Sequence, residues 1–269
     1  MTPVMITQTM YRATKDSLPS FTIHEGEGIL ELKGGIIDRL HSVGEPFPDL
    51  NFGGGGSCDP AGQAQHLTLI AMTLIRWFAL SQTALSLSHA SSSTPIDRQT
   101  QLAHDRLFER TLLADVSHPA FDFTLPSSPV RPAPEVKVGF AAMVMWLENW
   151  KIPLASVKKE GMQKRLGEWI AHLGATCRGR YFGVTEAGIM GLFPIGGKVG
   201  DEVALVFGMG LPVLVRMVGE DGQEKGNGNE KDEGEKRKLY KLIGPAYVHG
   251  IMDGEGMDGI GKAGSILLK

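Results

Sequence analysis

The apolar pattern of this chain changes its period near Arg180. In the middle of the chain, up to about residue 174, apolar side chains recur about every 3.6 residues. After Arg180 they alternate with a period of 2. The alternating part predicts strands at 181–185, 189–192, 203–207, 212–218, 239–243 and 246–249. Short strands separated by glycine turns at this density are typical of a small barrel. The sequence therefore predicts an α+β fold, in which a helical middle layer packs on a small rolled β-sheet or barrel.

The helical part is expected between about residues 61 and 174. Its first helix has an amphipathic face formed by Ile70, Leu74, Trp77, Phe78, Ser81 and Leu85. Further helices are predicted at 99–114, 135–150 and 160–173. The last of these has the clearest apolar stripe, with Met162, Leu166, Trp169, Ile170 and Leu173, and Gly174 is its predicted stop.

Residues 21–41 predict a β-hairpin with its turn at Gly34-Gly35, because both residues of such a pair can adopt positive φ. An isolated hairpin is marginal in water. We therefore expect it to join the C-terminal strands, so that 21–41, the helical part and the β-rich part at 180–260 form one compact unit over 1–269.

Two segments are predicted to be irregular. The segment 46–62 is rich in proline and glycine, with four consecutive glycines from Gly53. The segment 220–238 is densely charged and lacks an apolar face, so a disordered insertion that tolerates deletion is expected there. A functional charged tail is the alternative.

Composition narrows the partners and the compartment. The 269 residues are 42% hydrophobic and carry a formal net charge of −3, so no global basic field is available to hold nucleic acid. Cys58 and Cys177 are too few for a disulfide framework. The N-terminus does not resemble a secretory signal, and the apolar run Leu67–Leu80 is interrupted by Arg76 and too short for a membrane span. We expect a cytoplasmic protein with no membrane span.

Several segments match cofactor-binding or catalytic motifs only in part. The glycines at 254–259 and 259–264 match GxGxxG twice, but no helix, second strand and acidic residue can follow at the required spacing. Residues 191–198 resemble a phosphate loop, but Leu192 and Val199 stand where glycine and a hydroxyl residue are needed. No GxSxG or HExxH occurs, and the eight histidines are scattered. No cofactor and no metal are predicted.

The densest group of chemically active side chains lies between Tyr247 and Glu255. A phenol, an imidazole and two carboxylates fall within this segment and could form an acid/base site. Alternatively, Asp253 and Glu255 serve a turn by accepting backbone N–H groups. Arg110 and Asp115 lie at the end of the second predicted helix and are expected to form a structural pair.

Several segments together resemble the C-terminal region of fungal heterokaryon-incompatibility (HET-domain) proteins. In order these are Asp105–Asp115, Arg180–Leu192, Gly200–Gly208, Pro212–Arg216 and Tyr240–Glu255. The last contains Tyr-Val-His-Gly-Ile-Met-Asp-Gly-Glu, and the segment 29–40 resembles the one that follows the HET domain. The HET domain itself, which carries the signalling role in that family, is not matched, and the insertion 220–238 replaces a short turn. The resemblance implies a free-standing C-terminal module.

Two functions from different classes follow from this resemblance. The first is a cofactor-independent enzyme of fungal secondary metabolism, a cyclase of the Diels–Alder type that encloses an apolar terpenoid or polyketide. The second is a non-catalytic HET-related module for self-recognition or protein interaction. A large closed apolar cavity would favour the first, and a broad exposed apolar patch would favour the second.

For the enzyme, catalysis would consist of holding one reactive conformer and donating one or two hydrogen bonds to it. The methionines Met143, Met145, Met162, Met190, Met209 and Met252 could contribute to an adaptable apolar cavity, although methionines at such spacings also suit an ordinary core. The candidate catalytic residues are His249, Tyr247, Asp253 and Arg180, which lie near predicted strand ends. The oligomeric state is left open.

Overall fold

The computed structural model describes residues 11–49, 60–90, 95–115, 160–221, 237–260 and 264–269. The strands are β1 (Phe21–His24), β2 (Ile29–Pro46), β3 (Arg180–Thr185), β4 (Met190–Pro194), β5 (Glu202–Val206), β6 (Val213–Asp221), β7 (Arg237–Pro245), β8 (Tyr247–Val248) and β9 (Gly264–Leu268). The helices are α1 (Pro60–Ser88), α2 (Arg98–Leu112) and α3 (Glu160–Cys177), with a short 3-10 helix at Glu255–Gly259. The predicted helix at 135–150 lies outside the described residues.

Five strands close into a barrel in the order β5-β6-β7-β9-β2, because β2 also pairs with β5. The β7–β9 pair is parallel and the other pairs are antiparallel. Small and branched side chains fill the interior, among them Ala204, Val206, Val213, Val215 and Ile266. The α+β prediction is confirmed, including the union of the N-terminal hairpin with the C-terminal strands.

The long strand β2 connects the barrel to the helical layer. Its first half lies in the barrel, and its second half, from Leu40 to Pro46, pairs with β3, which is followed by β4 and β8. α1 packs on β2 and β3, and α2 packs on β4. Trp77 of α1 is fully buried, with ring centroids 5.7 Å from Phe47 and 5.9 Å from Phe182. The predicted amphipathic face of α1 is therefore buried except at Phe78, which is 36% exposed and contacts Phe108 of α2.

The predicted turn at Gly34-Gly35 is wrong. The hairpin turns at residues 25–28, with Gly28 at φ +64°, and β2 continues through both glycines. A Cβ atom on Gly34 would lie only 2.1 Å from the carbonyl oxygen of Leu205 on β5. The glycine is required there because two strands approach closely, not because the chain reverses.

Other boundaries also differ from the prediction. α3 continues past Gly174 to Cys177, and Gly179 at φ +70° follows its end. α1 begins at Pro60, inside the segment predicted as a linker, and β9 was not predicted. The charged segment is shorter than predicted, because β6 reaches Asp221 and β7 begins at Arg237, with Glu220 paired to Lys238. Residues 222–236 lie outside the described residues.

The helix α1 is also apolar in composition. Within it, Gln65–Ser88 has a mean hydropathy of 1.2, which by length and composition alone would suit a membrane span. Of that window 39% is buried inside the protein, and core helices meet the same measure. This is weak evidence for a span.

Candidate functional site

A cavity of about 490 Å³, which is open to solvent rather than closed, lies between α1, α2, the β3–β4 turn and the residues that follow β8. Most of its wall is apolar, and Leu85, Leu107, Ile189 and Met190 contribute to it. Small-molecule sites typically have volumes of roughly 300–1,000 Å³ and a few polar groups on an apolar wall. Here His89, His104 and His249 are such groups.

The short strand β8 places His249 at the cavity. Tyr247 and Val248 pair with Leu192 and Gly191 of β4, and the backbone N–H of His249 donates to the carbonyl of Met190 at 2.9 Å. The chain then turns at Gly250, whose φ is +81°. The end of β4 and the start of this turn therefore fix where the imidazole lies.

Tyr247 determines which nitrogen of His249 carries the proton. Its hydroxyl lies 2.9 Å from Nδ1 of His249, and the tyrosine is only 1% exposed. Burial, followed by the charge of Asp115, raises the pKa of Tyr247, so the phenol keeps its proton. A buried hydroxyl proton without an acceptor would be unfavourable. Tyr247 therefore donates to Nδ1, and the neutral His249 ring carries its proton on Nε2 as a hydrogen-bond donor.

The hydrogen bonds of Ser81 determine which ring nitrogen of His104 on α2 carries the proton. Its Nε2 lies 3.1 Å from Oγ of Ser81, which is fully buried on α1. The single hydroxyl proton of Ser81 is donated to the carbonyl of Phe78 at 2.7 Å, so the hydroxyl oxygen must accept from Nε2–H of His104. Burial lowers the pKa of His104, and this leaves Nδ1 as an acceptor on the neutral ring. His104 and His249 thus offer opposite hydrogen-bonding groups to one cavity.

Tyr11, Arg110 and Asp115 lie near Tyr247. The ring of Tyr11 is buried and centred 5.9 Å from that of Tyr247, and its hydroxyl donates to the carbonyl of Ala114. Arg110 donates to both carboxylate oxygens of the partly buried Asp115, at 2.7 and 2.6 Å, so the predicted structural pair is confirmed. After burial, the charge of Asp115 is the next cause that raises the pKa of Tyr247, and Arg110 opposes it.

The structure brings only some of the predicted site residues together. Tyr247 and His249 are hydrogen-bonded, and the charge of Asp253 contributes to raising the pKa of Tyr247. The carboxylate of Glu255 accepts from the backbone N–H of Asp253 at 2.8 Å, as expected of a turn. Arg180 does not line this cavity; it donates to the carbonyls of Pro245 at 3.0 Å and Leu192 at 3.4 Å, and burial lowers the pKa of its guanidinium.

Sequence reasoning missed His104 and Ser81 as a pair. The available signal was a serine within the apolar face of α1, but its partner lies on another helix, so no spacing pattern joins them. Among the residues that the structure describes, no group of three or more His, Cys, Asp or Glu side chains could hold a metal ion.

Comparison of the chain with protein-family models, with curated proteins and with solved structures gives no match. The resemblance to HET C-terminal regions therefore remains a prediction. The site itself is an apolar cavity with the imidazoles of His89, His104 and His249 on its wall.

Proposed function

We propose that this protein is a cofactor-independent enzyme of fungal secondary metabolism that encloses an apolar terpenoid or polyketide and promotes a Diels–Alder type cyclisation. The observation that carries the proposal is the position of His249 on the wall of an apolar cavity, with its ring oriented by the buried hydroxyl of Tyr247. The resemblance to HET C-terminal regions adds the fungal context.

The geometry suits a reaction in which bonds reorganise without net transfer of protons or electrons. Such a reaction is accelerated by holding the substrate in one folded conformer and by stabilising the charge that develops on a carbonyl oxygen. In the proposal, the apolar wall holds the folded chain, and the imidazole of His249 on that wall stabilises the charge that develops on the carbonyl. Tyr247 acts as a positioning residue because it fixes the proton on Nε2.

Binding is tested with the apolar fluorescent probe N-phenyl-1-naphthylamine. Ala103 lines the cavity, so Ala103→Trp should fill its mouth and weaken probe binding at least tenfold. Ala79 is exposed on α1 and does not line the cavity, so Ala79→Trp is the matched control and should bind the probe as the wild type does. Unchanged binding in Ala103→Trp would contradict a ligand site in this cavity.

Catalysis is tested by incubating the protein with a lipophilic extract of the producing organism and analysing it by liquid chromatography and mass spectrometry. A pericyclic cyclisation is an isomerisation, so the product should have the mass of a consumed precursor and a new retention time. His249→Ala should slow its formation on the order of a hundredfold, since one preorganised donor is lost. The exposed His41→Ala variant should not. Loss of activity with a chelator and its recovery with zinc or iron would refute the proposal.

A second candidate function is a non-catalytic HET-related module for self-recognition or protein interaction. It is favoured by large apolar side chains that are 36–49% exposed on α1 and α2, namely Leu69, Met72, Ile75, Phe78 and Leu102. Analytical ultracentrifugation separates the two functions. Self-association that Met72→Glu abolishes would favour the module, and a monomer that binds the probe would favour the enzyme.

A further inference from the structure

His104 contributes an acceptor to the cavity wall that the protein itself does not use. Ser81 fixes the ring proton on Nε2, so Nδ1 has the lone pair. Among the described residues, the only hydrogen-bond partner of the His104 ring is Ser81. The residue is 5% exposed and lines the cavity, so a donor for this nitrogen would have to come from the cavity side.

We propose that the molecule bound in this cavity carries a hydroxyl group, and that this hydroxyl donates to Nδ1 of His104. This inference rests on the proposed function, because it takes the cavity as the ligand site. It narrows the substrate class from apolar molecules in general to those that carry a hydroxyl group.

The physical reason is selectivity rather than affinity alone. A buried acceptor that loses water on ligand binding and gains no donor is unfavourable, so a ligand without the hydroxyl is penalised. The charge of Asp105 favours protonation of His104, whereas burial and the neighbouring His89 oppose it. The lowered pKa of His104 favours the neutral ring at neutral pH, and the neutral ring keeps Nδ1 as an acceptor.

His89 is the competing acceptor. Its Nδ1 lies 3.0 Å from the carbonyl of Leu85, which can only accept, so Nδ1 carries a proton and Nε2 has the lone pair on the neutral ring. His89 is only partly buried, however, and lies at the end of α1. Water can therefore donate to Nε2 of His89 even when a ligand occupies the cavity. His104 is therefore the acceptor that selects for a hydroxyl.

The test uses two probes that share a carbonyl and differ in a hydroxyl, 4-hydroxybenzophenone and benzophenone. Each displaces N-phenyl-1-naphthylamine from the full chain, and the ratio of their affinities is the measured quantity. The wild type should bind the hydroxylated probe about tenfold more tightly, as one added hydrogen bond allows. His104→Phe should reduce this ratio to near one, because phenylalanine keeps a ring but has no acceptor, and Ser81 still donates to the carbonyl of Phe78. His41→Phe is the matched control and should keep the ratio.

A second measurement covers the case in which His104→Phe fails to fold. In the wild type with ¹⁵N-labelled histidine, 4-hydroxybenzophenone should shift the Nδ1 signal of His104, and benzophenone should leave it in place. An unmoved signal, equal affinities, or loss of the ratio in His89→Phe instead of His104→Phe would overturn the inference. If N-phenyl-1-naphthylamine still binds in these cases, the proposed function stands; if it never binds, the proposed function fails as well.

Discussion

The hydroxyl of Tyr247 lies 2.9 Å from Nδ1 of His249, two residues along the chain. Side chains at positions i and i+2 of an extended segment lie on the same face, and here β8 leads directly into His249. The pairing of β8 with β4 thus sets both the place of the imidazole and its protonated nitrogen. The site depends on strand register, because a shift by one residue would turn both rings to the opposite face of the strand and away from the cavity.

The first prediction concerns this hydrogen bond. Tyr247→Phe keeps the buried ring and removes the donor to Nδ1, so the proton of His249 should redistribute between its two nitrogens, as measured by ¹⁵N NMR. The fold should survive with a loss of about 1 kcal/mol in the free energy of unfolding. Tyr181→Phe is the control. It also removes a buried tyrosine hydroxyl, but this one donates to the backbone carbonyl of Gly197 and not to His249. A His249 spectrum that is the same in Tyr247→Phe and wild type would show that this hydroxyl does not set the tautomer.

The sequence predicted one half of this site and not the other. Tyr247 and His249 are neighbours in one strand, so their proximity follows from a period of 2. His104 and Ser81 lie on different helices, and their contact depends on how α1 and α2 pack. Arg180 was placed near a strand end, as predicted, but the side chain braces β4 and β7 through their carbonyls instead of lining the cavity. Residue type and chain position do not determine the direction of a side chain across a packed layer.

A cluster of polar side chains links β1, β2 and β9, and it predicts how the stability of the protein depends on pH. The carboxylate of Glu31 accepts from Nζ of Lys33 at 2.8 Å, from Oγ of Ser265 at 2.5 Å and from Nε2 of His24 at 3.0 Å. These hydrogen bonds, above all the one from Lys33, lower the pKa of Glu31 from its usual 4.5 to about 2. The folded state therefore binds this proton less readily than the unfolded state.

The contribution of Glu31 to stability should be complete above about pH 4.5 and should disappear as the pH falls through 2. Glu31→Gln should accordingly be less stable than wild type at neutral pH, and the difference should shrink over that window in urea unfolding curves. Glu25→Gln removes an exposed carboxylate in the adjacent turn and should change the stability by less than about 0.5 kcal/mol at neutral pH. A difference between Glu31→Gln and wild type that stays constant down to pH 2 would contradict this assignment.

The ends of the charged segment give a further prediction. Asp221 and Arg237 are register partners on β6 and β7, so their backbones lie at pairing distance. Replacing 222–236 with Asn-Gly, a two-residue hairpin turn, should retain the fold. Shortening a flexible loop changes the closure free energy by only about 0.6 kcal/mol per halving. Thermal unfolding checks this, with a Gly/Ser replacement of equal length as control. Insoluble protein from the deletion alone would show that the segment contributes to folding.

The fold was predictable where patterns are local. Alternation after Arg180 placed β3, β5 and the starts of β4 and β6 to within one residue, because each strand buries one face or both, but the predicted end of β4 was two residues too early. Closure of the barrel was not predictable in this way. It depends on the approach of β2 to β5, and Gly34 and Leu205 lie far apart in the sequence. A glycine pair satisfies either a turn or a close approach, and only the partner strand decides between them.

The last prediction tests that closure. In Gly34→Ala the added methyl group would lie 2.1 Å from the carbonyl oxygen of Leu205, a backbone atom that cannot move without separating β2 from β5. We expect a loss of about 3 kcal/mol or failure to fold, measured by urea unfolding. Gly219→Ala on β6 is the control, because no atom lies within 4 Å of its added Cβ, and its stability should be nearly unchanged. Equal stability of the two variants would show that the barrel does not close at Gly34.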